Sequence, residues 1–106
     1  MKIQASLKVM PSGIDQKEVY DKVNEVIEMI ADSNLKYQVG SSETTVEGEY
    51  KDVFGLVESI HNKLVADQLR QITMIIVTDY NVENTYMDEK LENVQNYLGR
   101  DADETL

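Results

Sequence analysis

The apolar residues of this chain change period along its length, and the order of those changes restricts the fold more than any single motif. Side chains alternate with period 2 in a strand and recur every 3.6 residues on one face of a helix. Over 2–10, Ile3, Ala5, Leu7 and Val9 alternate with Lys2, Gln4, Ser6 and Lys8, which predicts a half-buried strand. Pro11-Ser12-Gly13 is expected to end it, with the only proline placed where the ladder stops. Asp15 then offers an N-cap, with Glu18 in the capping-box position. Val19, Val23, Val26, Ile27 and Ile30 form one helical stripe, and Ser33-Asn34 closes the helix, Asn being tolerated in the left-handed conformation.

The period returns to 2 at Leu35, Tyr37 and Val39, and again over 44–50, with Gly40-Ser41-Ser42 between; the spacing predicts a hairpin. A second helix follows, capped by Asp52, with Val53, Leu56, Val57, Ile60 and Leu64 on its inner stripe. Gly55 costs that helix about 1 kcal/mol against Ala and points to a close backbone approach. The run 72–78 is nearly continuous and apolar, as in a strand covered at least partly on both faces. After a polar connector at 79–85, Met87, Leu91, Val94 and Leu98 predict a short third helix. The order βαββαβ plus a helix implies an α+β, ferredoxin-like sandwich: a four-stranded antiparallel sheet with two helices on one face. Residues 1–98 are expected to form one domain and 99–106 an acidic flexible tail.

In that topology the first and third strands are the central pair. The third strand lies in the densest polar and β-prone stretch of the chain, YQVGSSETTVEGEY over 37–50. Glu43, Thr45, Glu47 and Glu49 fall on one face, Thr44, Val46, Gly48 and Tyr50 on the other. Acidic residues are depleted in strands, so three Glu on one face mark either a solvated face or a binding face for cationic or N–H-rich groups. If Ile3, Ala5 and Leu7 face the helices, Ser6 shares the open face with Thr45 and Glu47.

Composition narrows the function classes. A length of 106 residues and 42% hydrophobic content suit one domain with a real core. With no cysteine, disulfides, thiolate metal sites and a Cys nucleophile are excluded, and a reducing cytosol is the natural compartment. The start Met1-Lys2-Ile3-Gln4 lacks the apolar region of a signal peptide, and no run approaches the roughly 18 apolar residues of a membrane span, so a cytoplasmic location without membrane association is expected. A net charge of −10 argues against nucleic-acid binding and is compatible with cationic ligands.

Catalytic signals are sparse. His61, the only histidine, flanks the second helix with no Ser or Cys partner pattern, and neither a metal motif nor a phosphate-cradling glycine run is present. Lys8 alone is weak support for a phosphate site. The six tyrosines are expected at the core boundary with hydroxyls reaching water; Tyr37 is singled out because its strand pairs with 44–50, where an aromatic can line a small pocket.

The segments Ala5-Ser6-Leu7-Lys8-Val9-Met10-Pro11, Lys36-Tyr37-Gln38-Val39-Gly40 and Glu43-Thr44-Thr45-Val46-Glu47-Gly48 together resemble the small thiamine-binding family related to the YkoF protein. The likeness extends over roughly 2–98 and agrees with the order of elements above. It implies a ferredoxin-like fold, a homo-oligomer (dimer or tetramer) formed through the sheets, and binding of thiamine or its hydroxymethylpyrimidine part, with no cofactor required. Carried over by motif, the candidate ligand-binding positions are Ser6, Tyr37, Glu43, Thr44, Thr45 and Glu47. Alternation favours Ser6, Thr45 and Glu47 among them, with Thr44 turned to the helices unless a bulge reverses the register. Glu47 suits the amine or a protonated ring nitrogen of an aminopyrimidine, and the two hydroxyls can donate or accept. Thr78-Asp79-Tyr80 stands where the family is expected to carry basic residues, which favours free thiamine over a phosphorylated ligand. The expected function is therefore a non-enzymatic carrier, salvage or sensing protein. Two other classes stay open: a small dimeric ferredoxin-like enzyme using His61 or Glu47 as a base, and a structural or regulatory assembly module.

Overall fold

The computed structural model describes residues 1–82 and 87–99. Its elements are β1 (Lys2–Ser12), α1 (Gln16–Ala31), β2 (Lys36–Val39), β3 (Thr44–Glu49), α2 (Tyr50–Ala66), β4 (Gln71–Asp79) and α3 (Met87–Leu98). The four strands form one antiparallel sheet in the order β2-β3-β1-β4. Ile3, Ala5, Leu7 and Val46 from the sheet close a core with Val26 and Ile30 of α1 and Val53, Ile60 and Leu64 of α2. This is the expected ferredoxin-like sandwich, with α3 added after the second βαβ half.

Local chemistry sets the ends of α1. The Asp15 carboxylate accepts the Glu18 N–H at 2.9 Å, satisfying one of the orphan donors of the first turn. After α1, Asn34 adopts φ 67°, the left-handed conformation expected there.

Four local expectations are corrected. β1 does not stop before Pro11; it continues to Ser12, and Pro11 is buried opposite Ile72. Beyond Leu7, β1 pairs only with β4. A residue without an N–H is tolerated in a strand with such a free edge. The second helix starts at Tyr50, directly from β3, with Glu49 rather than Asp52 at the cap position; Glu49 is extended (φ −64°, ψ 143°) and its side chain makes no cap bond. Asp52 lies within the first turn instead, where a negative charge still favours the helix dipole. At Gly55 an added Cβ would meet nothing within 4 Å, so none of the described residues makes the close approach expected. The described tyrosines, Tyr20, Tyr37, Tyr50, Tyr80 and Tyr97, are all exposed rather than at the core boundary, and Tyr86 lies outside the described residues.

The glycine that does mark a close approach is Gly48. It faces the helix layer opposite Ile3, and a Cβ there would stand 2.6 Å from Leu35 Cδ2. At the hairpin, the Gly40 N–H donates to the Glu43 carbonyl at 2.8 Å, and a Cβ on Gly40 would stand 2.8 Å from the same oxygen. Only a residue without a side chain allows that turn to close so tightly.

β4 differs from a strand covered on both sides. Ile72, Met74 and Ile76 pack against the core, while Ile75 and Val77 on the other face are 49% and 61% exposed. The stripe expected on α3 is only partly covered: Met87 is buried and Leu91 half-buried, but Val94 and Leu98 are exposed. Of the tail 99–106, only Gly99 is among the described residues.

Candidate functional site on the open sheet face

The register of β1 with β3 fixes which side chains meet. Ser6 stands opposite Thr45 and Gln4 opposite Glu47, so these four share the face turned away from α1 and α2. Thr44 stands opposite Leu7 and is buried on the helix side. The pairing from Lys2 to Leu7 is continuous, so no bulge reverses it.

Two features distinguish this face from a solvated one. Glu47 is only 4% exposed, and its Oε1 accepts the Met87 N–H at 2.9 Å. A carboxylate at that position satisfies a free donor of the first α3 turn and lies at the favourable end of the helix dipole. The second feature is the Ser6 hydroxyl, which is out of contact with solvent and has no hydrogen-bond partner among the described residues. An unsatisfied buried hydroxyl is costly, and in a native fold it calls for a partner such as an ordered water or a bound group.

The first turns of α3 are strapped over this part of the sheet by charges. Lys36 of β2 pairs with Asp88, which raises the lysine above its ordinary value, with the Glu47 carboxylate adding to the effect. Lys90 donates to Gln4 Oε1 at 2.7 Å and to Asp79 Oδ2 at 2.5 Å. A 680 Å³ cleft opens beside the strap, with Lys36, Glu47, Asp88, Glu89 and Glu92 among its walls. Its acidic walls suit a cationic or amine-bearing molecule. Among the described residues, no group of three His, Asp or Glu is placed to hold a metal ion.

The six candidate positions therefore divide. Ser6, Thr45 and Glu47 come together on the open face. Tyr37 does not join them: it stands opposite Val46, on the helix-facing side of edge strand β2, and is exposed. Period 2 sends its neighbours Lys36 and Gln38 to the open face in its place, opposite Glu47 and Thr45. Glu43 lies in the loop before β3, beside Thr44, rather than on the acidic strand face. His61 is exposed on α2, across the sheet from Glu47. Gln4, Lys36 and Lys90 were not singled out by sequence reasoning. The first two were legible in strand alternation, whereas Lys90 joins only through the return of α3.

Fold and site together define a small α+β domain that offers a polar, partly roofed sheet face to a ligand. The profile of a family described as thiamine-binding protein matches residues 5–95, and the chain belongs to that family. It is 31% identical over 86 residues to the UPF0045 protein CPE1503 of Clostridium perfringens, covering 81% of this chain and 90% of that protein. Among solved structures, it is similar to a Thermotoga maritima protein provisionally assigned to thiamine biosynthesis or salvage, with TM-score 0.79, 26% identity and coverage of 89% of this chain and 99% of that one. It is also similar to a domain of unknown function (DUF77) from Bacillus cereus, with TM-score 0.74, 27% identity and coverage of 92% and 90%.

Proposed function

We propose that the protein is a non-enzymatic binder of thiamine or of its hydroxymethylpyrimidine half, recognised on the open sheet face by Ser6, Thr45 and Glu47. The observation that carries the reading is that one face holds both a buried carboxylate, Glu47, and the buried Ser6 hydroxyl, which has no hydrogen-bond partner among the described residues. An aminopyrimidine is flat and carries both donors and acceptors, so Glu47 accepts from its amine or a protonated ring nitrogen while Ser6 and Thr45 meet its remaining polar edge. The thiazolium is a fixed cation and suits the acidic cleft beside Glu47. No additional cofactor enters this reading, and the cysteine-free composition fits a cytoplasmic carrier, salvage or sensing role.

The reading includes a homo-oligomer, dimer or tetramer, formed through the sheets. Its support is the exposure of Ile75 and Val77 on the same face. Assembly through that surface would bury both and enclose the ligand.

Calorimetric titration with thiamine, hydroxymethylpyrimidine and thiamine phosphate tests the proposal. Saturable heat from the first two is expected, weakened about ten-fold or more in Glu47→Gln. That variant keeps an oxygen for the Met87 N–H, so the fold is retained while the charge is lost. Absence of heat from all three, in protein shown by mass spectrometry to carry no co-purified ligand, would overturn it.

A further inference from the structure

The polar contacts that fix α3 to the open sheet face are confined to its first turn. The Met87 N–H donates to Glu47 Oε1 at 2.9 Å, Asp88 pairs with Lys36 of β2, and Lys90 donates to Gln4 Oε1 of β1 and Asp79 Oδ2 of β4. Little apolar burial supports these bonds. Met87 is buried and Leu91 half-buried, while Val94, Tyr97 and Leu98 are exposed. By contrast, α2 buries Val53, Leu56, Val57, Ile60 and Leu64. The side chains of Lys36, Asp88, Lys90 and Asp79 are 45% to 72% exposed, and ion pairs so placed are weak and screened by salt. α3 has 12 residues, a length at which an isolated helix is marginal in water, so its order depends on staying docked.

We propose that α3 is a charge-latched lid on the open face. When its first-turn bonds break, the helix leaves the sheet and melts, and Glu47, Gln4 and Asp79 become free acceptors. The latched state is autoinhibitory in its chemistry. α3 meets these three acceptors with a backbone N–H and an ammonium, and an amine-bearing molecule would bring donors of the same kinds. Glu47 is 4% exposed beneath this turn, so a ligand gains full access to its carboxylate only once α3 moves. That a ligand then enters rests on the function proposed above; the opening itself does not.

Amide hydrogen exchange of the full chain, followed by NMR without ligand at about 20 mM and about 500 mM sodium chloride, tests the lid. The Met87 and Leu91 amides are expected to exchange together, at least about ten-fold faster than those of Val57 and Ile60 in α2. At the higher salt they should gain about three-fold more, with α2 unmoved. Lys90→Met and Asp88→Asn, both at exposed positions, should each accelerate the same two amides about three-fold. Fraying from the far end would look different, with fast exchange at Leu98 while Leu91 keeps the protection of α2. That pattern, or exchange at Met87 and Leu91 that salt or both substitutions leave unaltered, would overturn the proposal. Because no ligand is present, failure here would remove the lid alone, whereas silent thiamine calorimetry would remove only the earlier reading.

Discussion

At the scale of single residues, two positions carry a cost that the isolated fold does not repay. The Ser6 hydroxyl is buried without a partner among the described residues. Ser6→Ala is therefore expected to raise the unfolding free energy by about 1 kcal/mol in urea titration while lowering affinity for thiamine, the signature of a residue kept for binding. Gly55 is the other. Its Cβ position is open, and α2 continues on both sides of it. Gly55→Ala should stabilise by about 0.5–1 kcal/mol in the same titration, with ligand affinity unchanged. Strand alternation made the neighbourhood of Ser6, Thr45 and Glu47 legible, because β1 and β3 pair in regular register. It did not reveal that Glu47 would be buried, since that depends on where Met87 arrives, forty positions later in the chain. Tyr37 was drawn into the candidate set by belonging to the right strand, yet its parity sends it to the other face.

At the scale of elements, the two layers are held by different forces. The α1 and α2 stripes bury aliphatic side chains, while their outer edges are joined by a four-membered ion-pair network. Lys63 reaches Asp67 at 2.7 Å and Glu25 at 2.9 Å, and Lys22 reaches Asp67 at 3.0 Å and Glu25 at 3.3 Å. Lys63, and then Lys22, holds both carboxyls below their ordinary 4.5 and 3.8. Asp67 chiefly, with Glu25, holds Lys63 and Lys22 above their ordinary 10.5. For the carboxyls the unfolded chain binds more protons in the acid range, so their contribution is full above the ordinary carboxylate values and is lost as pH falls through the depressed ones. For the lysines the contribution is full below their ordinary value and is lost as pH rises through the raised ones. Lys63→Met should therefore flatten the acid limb of a Tm-against-pH curve, by a small amount because the network is solvent-accessible. α3 follows another rule. It is tied to the sheet by Glu47, Lys36 and Lys90, and half of its apolar stripe, Val94 and Leu98, is left uncovered. Its sequence pattern predicted a helix correctly but could not specify what that helix packs against.

At the scale of the whole molecule, two helices can cover only one side of a four-stranded sheet. β4 shows the consequence: its continuous apolar run predicted at least partial cover on both faces, and within one chain Ile75 and Val77 on the open face stay about half or more exposed. Val77→Asp is expected to shift the proposed oligomer to monomer in sedimentation velocity, with the secondary structure unchanged by circular dichroism. An unaltered sedimentation coefficient would remove this face from the interface. The oligomer number is read from the same experiment.

The sequence by itself determined the period changes, and through them the elements, their order, and the parity that places Ser6 and Thr45 on one face and Leu7 and Thr44 on the other. Those properties are local: they follow from backbone geometry and from the alternation of apolar residues over a few positions. Only the tertiary structure decided that Glu47 is buried beneath the start of α3, that β1 runs on through Pro11, and that none of the described residues closely approaches Gly55. Each of these depends on the distance between segments far apart in the chain, which no local pattern encodes.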